Sequence, residues 1–317
     1  MAVQNGTRSV ALVTGGSSGI GRCTAKALAQ DGWDVVLVAR SLVSLAEAEQ
    51  ECVAAGAQVL VVTADVGDQD EVDAAFAAAV DRFGRVDAVV NAAAALAYGR
   101  FEDVPAEIFN RAITTNLLGT ANVARAALRQ FREQQGGHLV LIGSLLGKIA
   151  VPFMSSYVTG KWGVHGLVRI LQIEAKQTPG VSVSLVSPGS VNTPAYSQAG
   201  TYAGFEGRPP PPVDPPEKVA RAVLRSLQKP ARDRSVGLAN HVVVLGFRTL
   251  PAVFDVLVTP LMRLTGLSRR ATPPTSGNVL HPQPEGDGQH GVWAFAGNRT
   301  DGTPPPRDKP PAQGSAG

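Results

Sequence analysis

The sequence is poor in the residues that would tie it to metal, nucleic acid or the cell exterior. Cys23 and Cys52 are its only cysteines in 317 residues, and their spacing fits no metal pattern. A disulfide framework is therefore not expected, and a reduced, cytoplasmic setting is. The five histidines, His138, His165, His241, His281 and His290, are scattered without a paired spacing, so no zinc site is expected either. A net charge of +3 with no basic run gives no reason to expect a nucleic-acid partner. The chain enters an apolar strand after eight residues, with no charged stretch followed by a long apolar one, so no signal peptide is expected.

What is present describes a globular protein: 44% hydrophobic and 17% charged residues, enough to bury a sizeable core. Short β-branched runs, "SVALV" (9–13), "DVVLVA" (34–39), "QVLVVT" (58–63), "VDAVV" (86–90), "HLVLIG" (138–143) and "VSVSLV" (181–186), alternate with helical patterns. Those patterns cover Arg22–Asp31, Ser44–Ala55, Gln69–Phe83 and Phe109–Gln134. Strands that are apolar almost throughout suit a sheet buried on both faces, hence parallel and covered by helices. The alternation predicts an α/β, doubly wound Rossmann-type fold.

The first strand ends in "TGGSSGIG", Thr14–Gly21, and a helical pattern follows at once. Glycines at 15, 19 and 21 permit a sharp turn and close approach to a pyrophosphate, which the N–H groups of the following helix would hold. Thr14, Gly15, Ser17, Ser18, Gly19, Ile20 and Gly21 are thus candidate cofactor residues. At the end of the second strand, where an acid would hold the ribose of NAD, the chain has Ala39 and Arg40. The planar fork of Arg40 suits a 2′-phosphate, so NADP(H) is expected over NAD(H).

A third motif is "SSYVTGKWGVHG" (155–166), with Tyr157 and Lys161 one helical turn apart. A free tyrosine, with a pKa of about 10, is a poor proton carrier at neutral pH. A neighbouring ammonium would favour the phenolate and make the proton easier to move. Reduction of a carbonyl needs such a proton beside a hydride donor.

These marks, with "ADV" (64–66), "VNAAA" (90–94), Asn116 in "TTNLLGT", Ser144 in "LIGSLLG" and "VSPGSVNT" (186–193), resemble the short-chain dehydrogenases/reductases over roughly residues 8–240. The resemblance implies a catalytic set of Asn116, Ser144, Tyr157 and Lys161. In it Ser144 bonds the substrate oxygen, Lys161 also holds the nicotinamide ribose, and Asn116 positions a water between Lys161 and solvent. It further implies Asp65 and Val66 beside the adenine and Asn91, with Ala92 and Ala93, on the adenosine side. Pro188, Gly189, Val191 and Thr193 would border the nicotinamide carboxamide. The family usually has N-N-A-G where this chain has "NAAA" (91–94), so Ala94 requires an ordinary negative φ. An oligomer is a reasonable default by the same resemblance.

The substrate side is less legible. "LLGKIAVPFM" (145–154) and "PAYSQAGTYAGFEG" (194–207) suggest an apolar wall and a cover, hence a lipophilic alcohol or ketone. "GRPPPPVDPPEK" (207–218) reads as a loop running into a helix start at Pro215–Pro216. Residues 235–266 are too apolar for an exposed tail, yet Arg248, Asp255, Pro251 and Pro260 interrupt them, so a membrane-spanning helix is not expected. Three readings stay open: burial on the domain, a subunit interface, or an amphipathic pair lying on a membrane. From 268 onward a mobile tail is expected, since residues 271–317 hold nine prolines and eight glycines. Asn298-Arg299-Thr300 matches a glycosylation acceptor that means nothing without secretion. The organisation expected is a Rossmann domain at 8–240, an apolar helical extension at 241–267 and the tail. The activity expected is an NADP(H)-dependent alcohol dehydrogenase or carbonyl reductase; the alternative is a dinucleotide-binding regulator without chemistry.

Overall fold

A computed structural model of the chain describes residues 3–4, 7–296 and 300. Its centre is a seven-stranded sheet of β1 (Val10–Thr14), β2 (Asp34–Ala39), β3 (Val59–Thr63), β4 (Ala88–Asn91), β5 (Gly137–Ile142), β6 (Val181–Pro188) and β7 (Arg234–Val236). The spatial order is β7-β6-β5-β4-β1-β2-β3, every neighbouring pair parallel. Strand order therefore reverses between β1 and β4, and a crevice opens there at the carboxyl ends of the strands.

Alternation along each strand feeds two cores, one on either face. Leu12, Val36, Val89 and Leu139 pack against α3 (Gln69–Phe83), α5 (Gly119–Glu133) and α6 (Ser155–Glu174). Their neighbours Val13, Leu37, Val90 and Val140 pack against α1 (Gly19–Gln30), α2 (Leu42–Ala54) and α7 (Pro216–Gln228). This double burial explains the near-continuous apolar runs. The expected helix over 109–134 is in fact two, α4 (Ala106–Ile113) and α5, joined by a π turn at Thr114–Leu118 that carries Asn116. π turns of this kind widen a helix locally and mark places where a residue is re-aimed.

Within the apolar stretch 235–266, β7 ends at Val236 and an α-hairpin follows, α8 (Asn240–Thr249) and α9 (Pro251–Thr265). Among the described residues no helix is long and apolar enough to cross a membrane.

The reading of a mobile tail from 268 needs correction for the described part. Leu267–Ala271 is a strand antiparallel to Phe205–Gly207, and residues 277–293 then run as a strap across the carboxyl edge of the sheet. Val279 is wholly buried and Trp293 nearly so. Proline and glycine deny this segment a helix but not a docked path, because side chains of the domain satisfy its backbone. Gln198 accepts from the Asn278 side chain at 3.1 Å and donates to the Gln283 carbonyl at 2.9 Å. The Asn298-Arg299 match lies outside the described residues.

Candidate active site

The glycine loop folds as its spacing requires. Gly15 has φ +65°, and a Cβ there would come 2.8 Å from the Ala93 nitrogen. A Cβ on Gly21 would come 2.0 Å from the Gly15 carbonyl oxygen, so Gly21 serves close packing of helix on loop, not the groove. Helix α1 starts at Gly19 with no acid in its first turn, leaving N–H groups and a partial positive charge directed at the crevice. Gly15, Ser17, Ser18, Gly19, Ile20, Arg40, Asp65, Val66, Ala92 and Ala93 line one wall of a cavity of about 710 Å³. Pro188, Gly189, Val191, Thr193, Ser144, Tyr157 and Lys161 line its other end. The shape and the donor set fit a dinucleotide.

Two further expected cofactor residues face elsewhere. The Thr14 hydroxyl donates to Asn91 Oδ1 at 2.5 Å, and Asn91 Nδ2 donates to the Thr120 hydroxyl at 2.9 Å. Thr120 in turn donates to the Asn116 carbonyl at 2.7 Å. Thr14 and Asn91 are both buried, and this chain ties β1 and β4 to α5 instead of reaching the cavity. Asn116 likewise has partners on the backbone. Its side chain donates to the Ala95 carbonyl at 2.8 Å and accepts the Ala95 N–H at 3.2 Å, which uses both ends of the amide. Ala94 avoids positive φ as expected; among the described residues only Gln135 and Phe153 adopt it without being glycine.

Arg40 already has partners. Its fork donates to the carbonyls of Asn278 at 2.6 Å, Val279 at 3.2 Å and Leu280 at 3.3 Å, all on the strap. The strap also supplies the Gly288 carbonyl to the Gly19 N–H at 2.8 Å. Two donor sets that would attract phosphate are therefore met by peptide oxygens of the chain's own C-terminal segment.

Tyr157 and Lys161 lie one turn apart on α6, with Lys161 Nζ 5.6 Å from the phenol ring centre. Burial opposes the acidified phenol that the helical spacing suggests. Burial pushes Tyr157 up to about 12, and only the Ser144 hydrogen bond pulls the other way. Lys161 is itself buried, and desolvation brings it down to about 8. Its ammonium donates to the Ile142 carbonyl at 2.8 Å. Low polarity thus acts on both groups in the direction that disfavours charge, and it outweighs their mutual attraction at this distance.

Ser144 follows β5 and opens a single 3-10 turn, where its hydroxyl accepts the Leu146 N–H at 3.1 Å. Its own N–H donates to His165 Nε2 at 3.3 Å. Burial lowers His165 to about 4, which keeps the ring neutral and able to accept. Gly143 and Gly147 bracket Ser144, and a Cβ on either would come within 2.6 Å of the imidazole. In the sequence His165 stands outside any paired motif, and the two glycines around the serine are the local sign of its ring.

The rest of the cavity is apolar. Leu146, Ile149, Val151 and Met154 form one side, and the inner face of α8–α9 forms another. Tyr98 and Tyr196 also line it, both held strongly neutral by burial. The Tyr98 hydroxyl is buried without a hydrogen-bond partner, which the sequence alone gave no reason to notice. Among the described residues there is no cluster of metal-binding side chains.

A parallel sheet with its reversal at a glycine loop, and a serine, tyrosine and lysine converging beside it, defines a dinucleotide-binding oxidoreductase. The chain belongs to the short chain dehydrogenase family, whose model matches residues 9–202. It is 32% identical over 280 residues to the uncharacterized oxidoreductase YxnA of Bacillus subtilis, covering 86% of this chain and 77% of that one. It is 30% identical over 240 residues to 3-ketodihydrosphingosine reductase of Bos taurus, covering 73% and 72%. Among solved structures, a variant of the actinorhodin polyketide ketoreductase with NADPH is 30% identical with a TM-score of 0.67, covering 76% and 99%.

Proposed function

We propose that the chain is an NADP(H)-dependent oxidoreductase that interconverts a lipophilic alcohol and its ketone or aldehyde. The observation that carries this reading is the placement of the Ser144 hydroxyl and the Tyr157 phenol side by side where the dinucleotide wall of the cavity meets its apolar side. The nicotinamide, when bound, supplies or accepts the hydride. Ser144 orients the carbonyl oxygen, and Tyr157 exchanges a proton with it. Because burial resists the phenolate, the hydroxyl is held protonated at neutral pH, ready to donate in the direction of reduction. Lys161 is charged below about pH 8, and its ammonium has donors beyond the one given to Ile142 with which to hold a ribose. Asn116 acts through Ala95, fixing the backbone beside the cavity.

Arg40 supports the choice of NADP(H), since a 2′-phosphate is the anion its fork would prefer to neutral carbonyls. One similar protein was solved with NADPH, and another is named a 3-ketodihydrosphingosine reductase, which supports reduction of a ketone. The rival reading, a regulator that binds dinucleotide without chemistry, draws on the strap contacts to Gly19 and Arg40. A screen of NADPH consumption across ketones graded by size and polarity, with NADH in parallel, separates the two. Apolar ketones should turn over, and Tyr157→Phe should lose about a thousandfold in kcat while still binding NADPH. NADPH binding without turnover of any ketone would favour the regulator, and turnover of small polar carbonyls alone would overturn the lipophilic substrate.

A further inference from the structure

Exposed large apolar side chains gather on the α8–α9 hairpin. Val242 and Leu245 on α8 are 73% and 61% exposed, and Val256 and Leu264 on α9 are 73% and 67% exposed. The polar residues fall at helical spacing on separate stripes: His241 and Arg248 on α8, and Asp255, Thr259 and Arg263 on α9. Each helix thus turns an apolar side outward in addition to the one that faces the cavity, unlike a helix that serves only its own core. A contiguous patch of this kind marks a contact with something else.

Two observations say what covers it. Leu250, Val253, Leu257 and Leu261 are each more than half exposed, and each also lines the cavity that holds Tyr157. The outer apolar face is therefore continuous with the mouth of that cavity. Charge is the second. Arg248 and Arg263 on the hairpin, with Arg269 and Arg270 on the strand that follows, are all exposed, and Asp255 is the single acid among residues 238–271. A second copy of the chain would bring the same arginines against each other around the patch. An anionic headgroup layer would neutralise them while its acyl region accepts the leucines and valines.

We infer that the α8–α9 hairpin docks the protein on a bilayer bearing anionic lipid, with the cavity mouth opening toward the membrane interior. The docking stands on exposure and charge alone. The passage of an apolar substrate through that mouth rests on the function proposed above. Trp162, half-exposed on α6, packs edge-on to Phe247 of α8 at 6.3 Å and ties the hairpin to the helix that carries Tyr157.

The test is cosedimentation of the full chain with phosphatidylcholine vesicles, with and without roughly one third phosphatidylglycerol. Binding is expected on the anionic vesicles, weakened by salt. Combined Arg248→Glu, Arg269→Glu and Arg270→Glu should reduce it by at least about tenfold, since each cation near such a surface contributes about fivefold. Val242→Glu with Val256→Glu should abolish it while NADPH binding and the melting temperature stay as in the wild type. Should that pair fail to fold, the arginine variant, whose changes lie on exposed side chains, decides alone. Equal recovery of wild-type protein in the supernatant with both vesicle types overturns the inference. So does a dimer in light scattering that the Val242→Glu, Val256→Glu pair dissociates while vesicles bind neither form. Vesicle binding without turnover of any ketone leaves the docking intact and removes only the proposed substrate route.

Discussion

The ammonium of Lys161 donates to the carbonyl of Ile142 at 2.8 Å, while the ring of Tyr157, one turn earlier on the same helix, lies 5.6 Å away. The pair therefore answers to burial more than to each other, and this has a sign in pH. Lys161 loses its proton at about pH 8 when folded and at about 10.4 when unfolded. Between those values the unfolded chain binds more protons, so this group makes stability rise with pH across that window. Tyr157, pushed up to about 12, works oppositely above pH 10, where the folded chain keeps a proton that the unfolded chain has lost. Urea unfolding should show wild type gaining on Lys161→Met from pH 8 to pH 10. A gap independent of pH would mean that the lysine is not desolvated.

The contact between His165 and Ser144 predicts a positioning effect. His165→Leu removes the acceptor of the Ser144 N–H and should lower kcat about tenfold with KM little changed, because the hydroxyl is displaced and the cavity is not. His165→Gln, which offers an amide oxygen, should recover much of the rate. Equal loss in both variants, matched by a fall in melting temperature, would assign the ring a packing role alone.

These two relationships mark where reading the chain stops. β1, β2 and the glycine loop were legible because double burial and tight backbone approach each leave a local pattern: an apolar run, or a glycine where a Cβ would collide. Tyr157 and Lys161 were legible as a pair, since helical spacing is itself local. What the spacing does not carry is the polarity around them, and burial there pushes the phenol up, against the pull of a nearby ammonium. Asn91 was placed by likeness in the cofactor site, but its partners Thr14 and Thr120 come from distant segments. The strap failed for a related reason. Composition says that residues 277–293 make no helix, and only the domain's own side chains, Gln198 among them, say where such a segment lies down.

Tyr98 yields a prediction about stability. A buried hydroxyl without a partner costs about 1–3 kcal/mol. Tyr98→Phe removes it without leaving a hole, so the variant should be about 1 kcal/mol more stable, or about 2–4 °C higher in melting temperature for a chain of this size. Because Tyr98 lines the cavity, the same variant should raise KM for any ketone that carries a second polar group and leave simple apolar ketones unaffected. A drop in melting temperature would show that the hydroxyl has a partner after all.

The strap supplies the last prediction. Gln198 donates from one nitrogen to the Gln283 carbonyl and to the Asp287 carboxylate, both at 2.9 Å, and accepts from Asn278 at 3.1 Å. It therefore pins the strap at the stretch that meets Arg40 and again beyond it, from outside the glycine loop. A dinucleotide that uses Arg40 and the Gly19 N–H competes with the Asn278 and Gly288 carbonyls, so its apparent affinity is reduced by the fraction of molecules in which the strap is down. Gln198→Ala removes three hydrogen bonds, each with a net contribution of about 1 kcal/mol, and should free the strap more often. NADPH should then bind several-fold more tightly, and limited proteolysis should cut within residues 277–293 faster than in the wild type. Weaker NADPH binding with the same increase in proteolysis would reverse the assignment. The strap would then be a cover that closes over bound cofactor, and its contacts to Arg40 and Gly19 would be the resting position of that cover.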